Sequence, residues 1–310
     1  MSRAVLIAVA ALSLFGMSIH PGQAQQAQQA QPPQPNAKPF QPEAAGMTVQ
    51  PAGRFLYLIK GGSGANTAFY VTQKHVIAVD AKMTAEAARQ MIAEIAKVTS
   101  NPLSILIITH SDGDHVNGLA GFPPGLTIMA SEGTKNEMEE AFKDEKMAAL
   151  RAYLPTQTHS SEANLRTPMP DGKLALISLY HFGPAHTSGD TVVLFHNEKT
   201  AFVGDLAFTG RDPLIHRQKG GTPIGYIETL KKMIALPAEK YLSGHADPLT
   251  KDDLKALLKS MEDKLAKVKE LIARGKTLDE IKAAMGVPAQ ASGRWPSLIE
   301  VMYLELTEKR

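Results

Sequence analysis

Cysteine is absent from all 310 residues, which excludes disulfides, iron–sulfur clusters and thiolate metal ligands. A strong charge of either sign is missing too: 33 Lys and Arg stand against 31 Asp and Glu, a net +2. No long basic run and no stretch of interleaved basic and aromatic residues occurs, so nucleic acid is not an expected partner. Internal repeats are also absent. No apolar run reaches the roughly 20 residues that span a bilayer. The nearest approach, Ala4 to Met17, follows Arg3 and precedes the small-residue triplet Gly22-Gln23-Ala24. That layout reads as an export signal over residues 1–24, with an uncleaved anchor as the alternative. Residues 25–50, rich in Gln, Pro and Ala, read as a disordered tether, because they have too little apolar surface to offset the entropy of ordering. The expected product is secreted, to a bacterial periplasm, with no stable membrane insertion once the signal is cleaved.

What is present is a body rich enough in apolar residues, 44% hydrophobic, to bury a sizeable core. Strand-like segments at 54–59, 69–71 and 76–79 are followed by a helical pattern over 83–98, with Ala87, Met91, Ile95 and Val98 on one face. A further strand is expected at 103–109, a short helix at 115–121, and a charged amphipathic helix over 131–150 begun by Ser131. Strands then run to Asp205, and another helix covers 224–234. This alternation supports a mixed α/β fold.

The stretch richest in chemistry is His110-Ser111-Asp112-Gly113-Asp114-His115, directly after the apolar run 103–109. A buried strand fixes the backbone, so side chains on the loop that leaves it can converge on one point. Gly113 is expected to allow backbone angles in that turn that other residues resist. Histidine nitrogen with carboxylate oxygen suits zinc, iron or manganese better than magnesium or calcium. Three later segments also deliver such groups at apolar ends: His186 before the strand-like 191–195, Asp205 after 201–204, and His245 after 241–244. Asp80, ending the strand at 76–79, either orients the metal loop or caps the helix before Thr84. His20 lies in the signal and His196 before a turn. His75, His159 and His181 carry no supporting pattern and read as structural or exposed.

In its motif His-x-Asp-x-Asp-His, followed by a lone His, an Asp and a last His, the chain resembles the metallo-β-lactamase superfamily over about residues 53–250. The family's first motif is His-x-His-x-Asp-His, so Asp112 stands where most relatives have a histidine. The resemblance implies an αββα sandwich over 51–250, with 251–310 as a C-terminal helical extension. It implies that His110, Asp112 and His186 hold one metal, that Asp114, His115 and His245 hold a second, and that Asp205 bridges them. Two divalent ions are the implied cofactors, zinc first, with iron or manganese as alternatives because of the extra carboxylate Asp112.

The implied reaction is hydrolysis of an ester, thioester, lactone or (β-)lactam of a small-molecule substrate by a metal-bound hydroxide, with Asp114 as the catalytic residue that orients the hydroxide. An iron-dependent oxidoreductase of the same fold and a non-catalytic metal-binding module are the alternatives. Three acids and a bridging hydroxide balance the four positive charges of such a pair. The expected site is therefore less electrophilic and less attractive to anions. Arg211, His216, Arg217 and Lys219 crowd the loop after Asp205, and form a candidate basic rim for substrate. A last pattern, Leu254, Leu257, Leu258, Met261, Leu265, Val268 and Leu271 on one stripe of 251–274, predicts a long helix stopped by Gly275 and followed by another from Thr277 to Met285. Its lysines read as a solvated face, with a dimer contact or a lid over the site as alternatives.

Overall fold

The computed structural model describes residues 46–287 and 295–308; the expected signal peptide and most of the tether lie outside them. Seven strands form one sheet in chain order: β1 (Thr48–Pro51), β2 (Leu56–Lys60), β3 (Thr67–Val71), β4 (Val76–Val79), β5 (Leu103–Ile107), β6 (Thr127–Ser131) and β7 (Gln157–His159). The first four are antiparallel neighbours, and β4 to β7 run parallel. The second sheet holds β8 (Glu162–Pro168), β9 (Leu174–Tyr180), β10 (Val192–Phe195), β11 (Thr200–Phe202), β12 (Lys240–Leu242) and β13 (Leu249–Thr250), also in chain order. The helices are α1 (Ala85–Val98), α2 (Gly113–Val116), α3 (Glu132–Ala141), α4 (Pro223–Ala235), α5 (Lys251–Ala273), α6 (Leu278–Ala284) and α7 (Leu298–Thr307).

The layers follow from two-residue alternation along the strands. Leu56, Leu58, Ile77, Val79 and Ile107 face inward and meet Ile177, Leu179, Val193, Phe195 and Phe202 of the second sheet. Their neighbours Val76, Ala78 and Leu106 face outward and are covered by Ala88, Met91 and Ile95 of α1. On the opposite side Val192, Leu194 and Tyr241 pack under Tyr226, Leu230 and Met233 of α4 and under Leu254, Met261 and Val268 of α5. Two sheets face to face between helices make the αββα sandwich.

Three boundaries differ from the sequence reading. β1 pairs with β2 from Thr48, so ordered structure begins inside the stretch expected to be tether, because the edge of β2 satisfies the backbone of residues 48–51. Ser131 does cap a helix, its side chain accepting from Thr134 N–H, but α3 ends at Ala141. The Asp144 side chain accepts from Lys146 N–H and opens a separate 3-10 helix (Glu145–Tyr153). Arg151 then donates to the carbonyls of Phe142 and Lys143 just past the α3 terminus; side-chain bonds to backbone have displaced the helical ladder. Finally, the C-terminal helices α5, α6 and α7 are built into the core. The α5 stripe packs on α4 and α7 in the second-sheet core, so this face is covered within the chain, and α7 had no counterpart in the sequence reading.

Candidate metal centre and substrate cavity

Every expected donor sits where a strand of the sandwich ends. Residues 110–115 leave β5 and turn into α2, His186 precedes β10, Asp205 follows β11, and His245 follows β12. Asp112 Oδ2 lies 3.1 Å from His186 Nε2 and 3.7 Å from His110 Nε2. Asp114 Oδ2 lies 2.9 Å from His245 Nε2 and 3.6 Å from His115 Nε2. Asp205 stands between the two groups, with Oδ1 3.2 Å from His115 Nε2 and Oδ2 3.3 Å from His245 and 4.0 Å from His186. Ligand atoms at bond lengths of about 2.0–2.1 Å on a tetrahedral zinc stand about 3.3 Å apart, and these separations scatter around that value.

Nitrogen orientation is set from outside the cluster. His115 Nδ1 donates to Asp80 Oδ2 at 2.7 Å and His186 Nδ1 to the Leu214 carbonyl at 2.7 Å. His110 Nδ1 meets Thr109 Oγ1 at 3.0 Å, and that hydroxyl in turn donates to Asp80. Acceptors on Nδ1 leave each Nε2 lone pair aimed at the centre. Asp80 is therefore the orienting acid, and the cap of α1 is Thr84, whose side chain accepts from Ala87 N–H. Asp80 adopts a left-handed backbone, φ 64°, a conformation that Asp tolerates better than most residues.

The donors fit divalent ions. Among the described residues His110 Nε2, His115 Nε2 and Asp205 Oδ1 are buried with no hydrogen-bond partner, a costly state for a polar atom unless something binds it. Burial pushes Asp205 and Asp114 up, but the adjacent histidines outweigh it and hold both carboxyls below the usual range. His186 and His245 are buried too, yet the acids around them push both up to about 9. His115 is raised well above its ordinary value by Asp80 and Asp205 against its own burial. Divalent ions held by these residues would compete with protons for the same acids and bases.

Glycine matters here differently from expectation. Gly113 has no positive φ; it starts α2, and a Cβ there meets the Asn117 amide at 2.6 Å. Gly244 is the tighter position, since a Cβ falls 2.6 Å from Asp205 Oδ1 and 2.9 Å from His115 Cε1. Only glycine lets the β12 exit pass this close to the donors.

A cavity of about 590 Å³ opens over the centre, lined by Asp112, Asp114, Asp205 and His245 together with Met83, Phe208, Leu214 and Trp295. Of the candidate basic rim, Arg211, His216 and Lys219 line it. Arg217 does not; it pairs with Glu308 at 2.6 Å. Arg211 lies over the Phe208 ring at 4.3 Å and makes no ion pair among the described residues. His75, His159, His181 and His196 all lie outside the cluster. The apolar wall was not anticipated. Trp295, the single tryptophan of the chain, reaches the cavity from just before α7 and packs edge-on to His216 at 4.5 Å. Its rarity was the one signal available beforehand.

Comparison with known proteins agrees with this architecture. Residues 61–245 match the model of the family described as "Metallo-beta-lactamase superfamily". Among curated proteins, the chain is 26% identical over 183 residues to the 2,4-dinitroanisole O-demethylase subunit alpha of Nocardioides sp. (strain JS1661), covering 58% of this chain and 52% of that protein. It is 20% identical over 266 residues to the linear primary-alkylsulfatase of Pseudomonas sp. (strain ATCC 19151), covering 73% of this chain and 50% of that protein. The chain thus spans about half the length of these curated relatives. Among solved structures it resembles a metallo-β-lactamase from Pontibacter korlensis (TM-score 0.59, 16% identity, 70% of this chain and 99% of that one). It also resembles the DIM-1 metallo-β-lactamase (TM-score 0.57, 16% identity, 71% and 99%). With the family's matched region running from before the metal loop to His245, the chain belongs to the metallo-β-lactamase superfamily.

Proposed function

We propose that the chain is an exported metal-dependent hydrolase that cleaves an ester, thioester, lactone or lactam bond in a small substrate. The observation that carries the reading is the convergence of seven donors, three of their buried atoms unpartnered, at the floor of an open cavity. Divalent ions bound there, zinc foremost, supply Lewis acidity that lowers the pKa of water and polarises the scissile group. Asp114 stays ionised beside His245 and lines the cavity, so its carboxylate accepts a hydrogen bond from the attacking water and orients it. Arg211, backed by Phe208 and without an ion pair among the described residues, is the group available to an anionic part of the substrate. Met83, Phe208, Leu214 and Trp295 offer an apolar surface to the rest of it and limit water. The likeness to an alkylsulfatase adds sulfate esters to the substrates worth testing.

The test is metal analysis of protein purified from its own host, with a hydrolysis screen over lactams, lactones, thioesters, phosphoesters and sulfate esters. His186→Ala and His245→Ala should each lower bound metal and abolish whatever hydrolysis is found. Unchanged metal stoichiometry in both variants sinks the assignment. Tightly bound iron with oxygen uptake and no hydrolysis selects the oxidoreductase reading instead. Export is checked by fractionation and by the mass of the mature N-terminus, expected near residue 25.

A further inference from the structure

Asp112 is the departure from the family motif, and the structure surrounds it with two partners from a loop more than one hundred residues away. Lys219 Nζ donates to Asp112 Oδ1 at 2.7 Å, to Ser111 Oγ at 2.8 Å and to the Ser111 carbonyl at 3.2 Å. An ammonium has three donors, and all three are engaged, so Lys219 has none left for a substrate. His216 Nε2 reaches Asp112 Oδ2 at 2.8 Å. Its Nδ1 meets the Gln218 side-chain amide at 3.1 Å, and its ring is 3% exposed. His216 N–H also donates to the His186 carbonyl at 2.9 Å, which ties this loop to the one that presents a metal donor. Ser111 continues the network: its hydroxyl bonds to Glu137, which also accepts from Ser188 N–H at 3.0 Å. The position of Lys219 is therefore enforced from two sides.

We propose that Lys219 and His216 turn Asp112 into the charge equivalent of a neutral histidine at the first metal position, Lys219 cancelling its charge and His216 aiming Oδ2 toward His110 and His186. Lys219 and His216 are then positioning residues, and the expectation of an electrically neutral centre with weak attraction for anions no longer holds. A cation 2.7 Å from one of the three acids restores about one unit of positive charge near the metals. The inference rests on the metal-centre reading above, and deepens it.

The experiment is a double-mutant cycle in the full chain: wild type, Asp112→His, Lys219→Met and the double variant. Zinc stoichiometry and affinity are read by competition with a chromophoric chelator, with melting temperature as the fold control. Asp112→His alone leaves an uncompensated ammonium beside the ion and should weaken first-site zinc by at least about tenfold, and adding Lys219→Met should recover it, a coupling of the size that contacting groups show. Should Asp112→His not fold, Asp112→Asn leaves the same unpaired ammonium and runs the same cycle. For His216, Leu should weaken first-site zinc about ten- to a hundredfold, whereas Gln, which keeps a donor, should hold most of it. Equal effects of Lys219→Met in both backgrounds, or equal losses for His216→Leu and His216→Gln, overturn the proposal while leaving the metal centre intact. A wild-type chain that binds no divalent metal brings down both.

Discussion

The two halves of the donor cluster are held in place by different means. On the side of Asp114, His115 and His245, the direct support is Asp80, fully buried at the end of β4 and 35 positions from the histidine it orients, and it reaches the other side only through Thr109. On the side of His110, Asp112 and His186, the support comes from the loop between β11 and α4, with Lys219 standing 107 positions from Asp112. One half is built from adjacent parallel strands, β4 and β5, whose register brings Asp80 and residues 107–109 together. The other depends on a loop that joins β11 of the second sheet to α4. A donor supported by neighbouring strands carries its support in the first hundred residues or so, whereas a substituted donor needs partners that only the finished sandwich delivers.

The contrast can be broken most forcefully at Asp114. Asp114→Asn keeps size and removes charge, and turnover should drop at least about a hundredfold, as for loss of a positioned catalytic group. Steady-state kinetics decide it, and a variant that keeps near wild-type turnover removes Asp114 from the chemistry. A smaller effect is expected at Asp80. Asp80→Asn still tolerates the left-handed backbone but no longer offers His115 Nδ1 a charged acceptor, so second-site zinc should weaken about ten- to a hundredfold. First-site zinc should weaken less, because Asp80 reaches His110 only through the Thr109 hydroxyl. Equal losses at both sites would mean that the two halves are not separately supported.

The smallest effect belongs to a residue on neither side. His159 ends β7, 5% exposed, and burial followed by the nearby His181 charge lowers its pKa from 6.5 to about 4. The unfolded chain therefore binds the extra proton more readily, and the stability that neutral His159 contributes is full above about pH 6.5 and lost as pH falls toward 4. His159→Gln should flatten that part of a melting-temperature profile without changing zinc content. The same acid sensitivity in both proteins counts against it.

Legibility followed the range of the forces involved. The apolar runs of β4 and β5, the stripe of α5 and the caps Ser131 and Thr277 are local patterns, and each stands where the sequence reading put it. The helix expected over 131–150 was over-extended, because its charged pattern continues past Phe142 while Asp144 and Arg151 divert the backbone. Asp80 offered two readings of equal merit from sequence, and its hydrogen bonds to Thr109 and His115 chose between them. The basic rim divided in three dimensions: Arg211 faces the cavity, Arg217 turns to Glu308, and Lys219 and His216 turn to Asp112.

By itself the sequence determined the order of donors and the strand ends that carry them, because side-chain chemistry and two-residue periodicity are properties of the chain. It also determined that no thiolate takes part. Only the tertiary structure decided which cation neutralises Asp112, which acid orients His115, and that Trp295 walls the cavity. Those are contacts between segments far apart in the chain, and their partners are set by how two twisted sheets pack and where the loops between them come to rest.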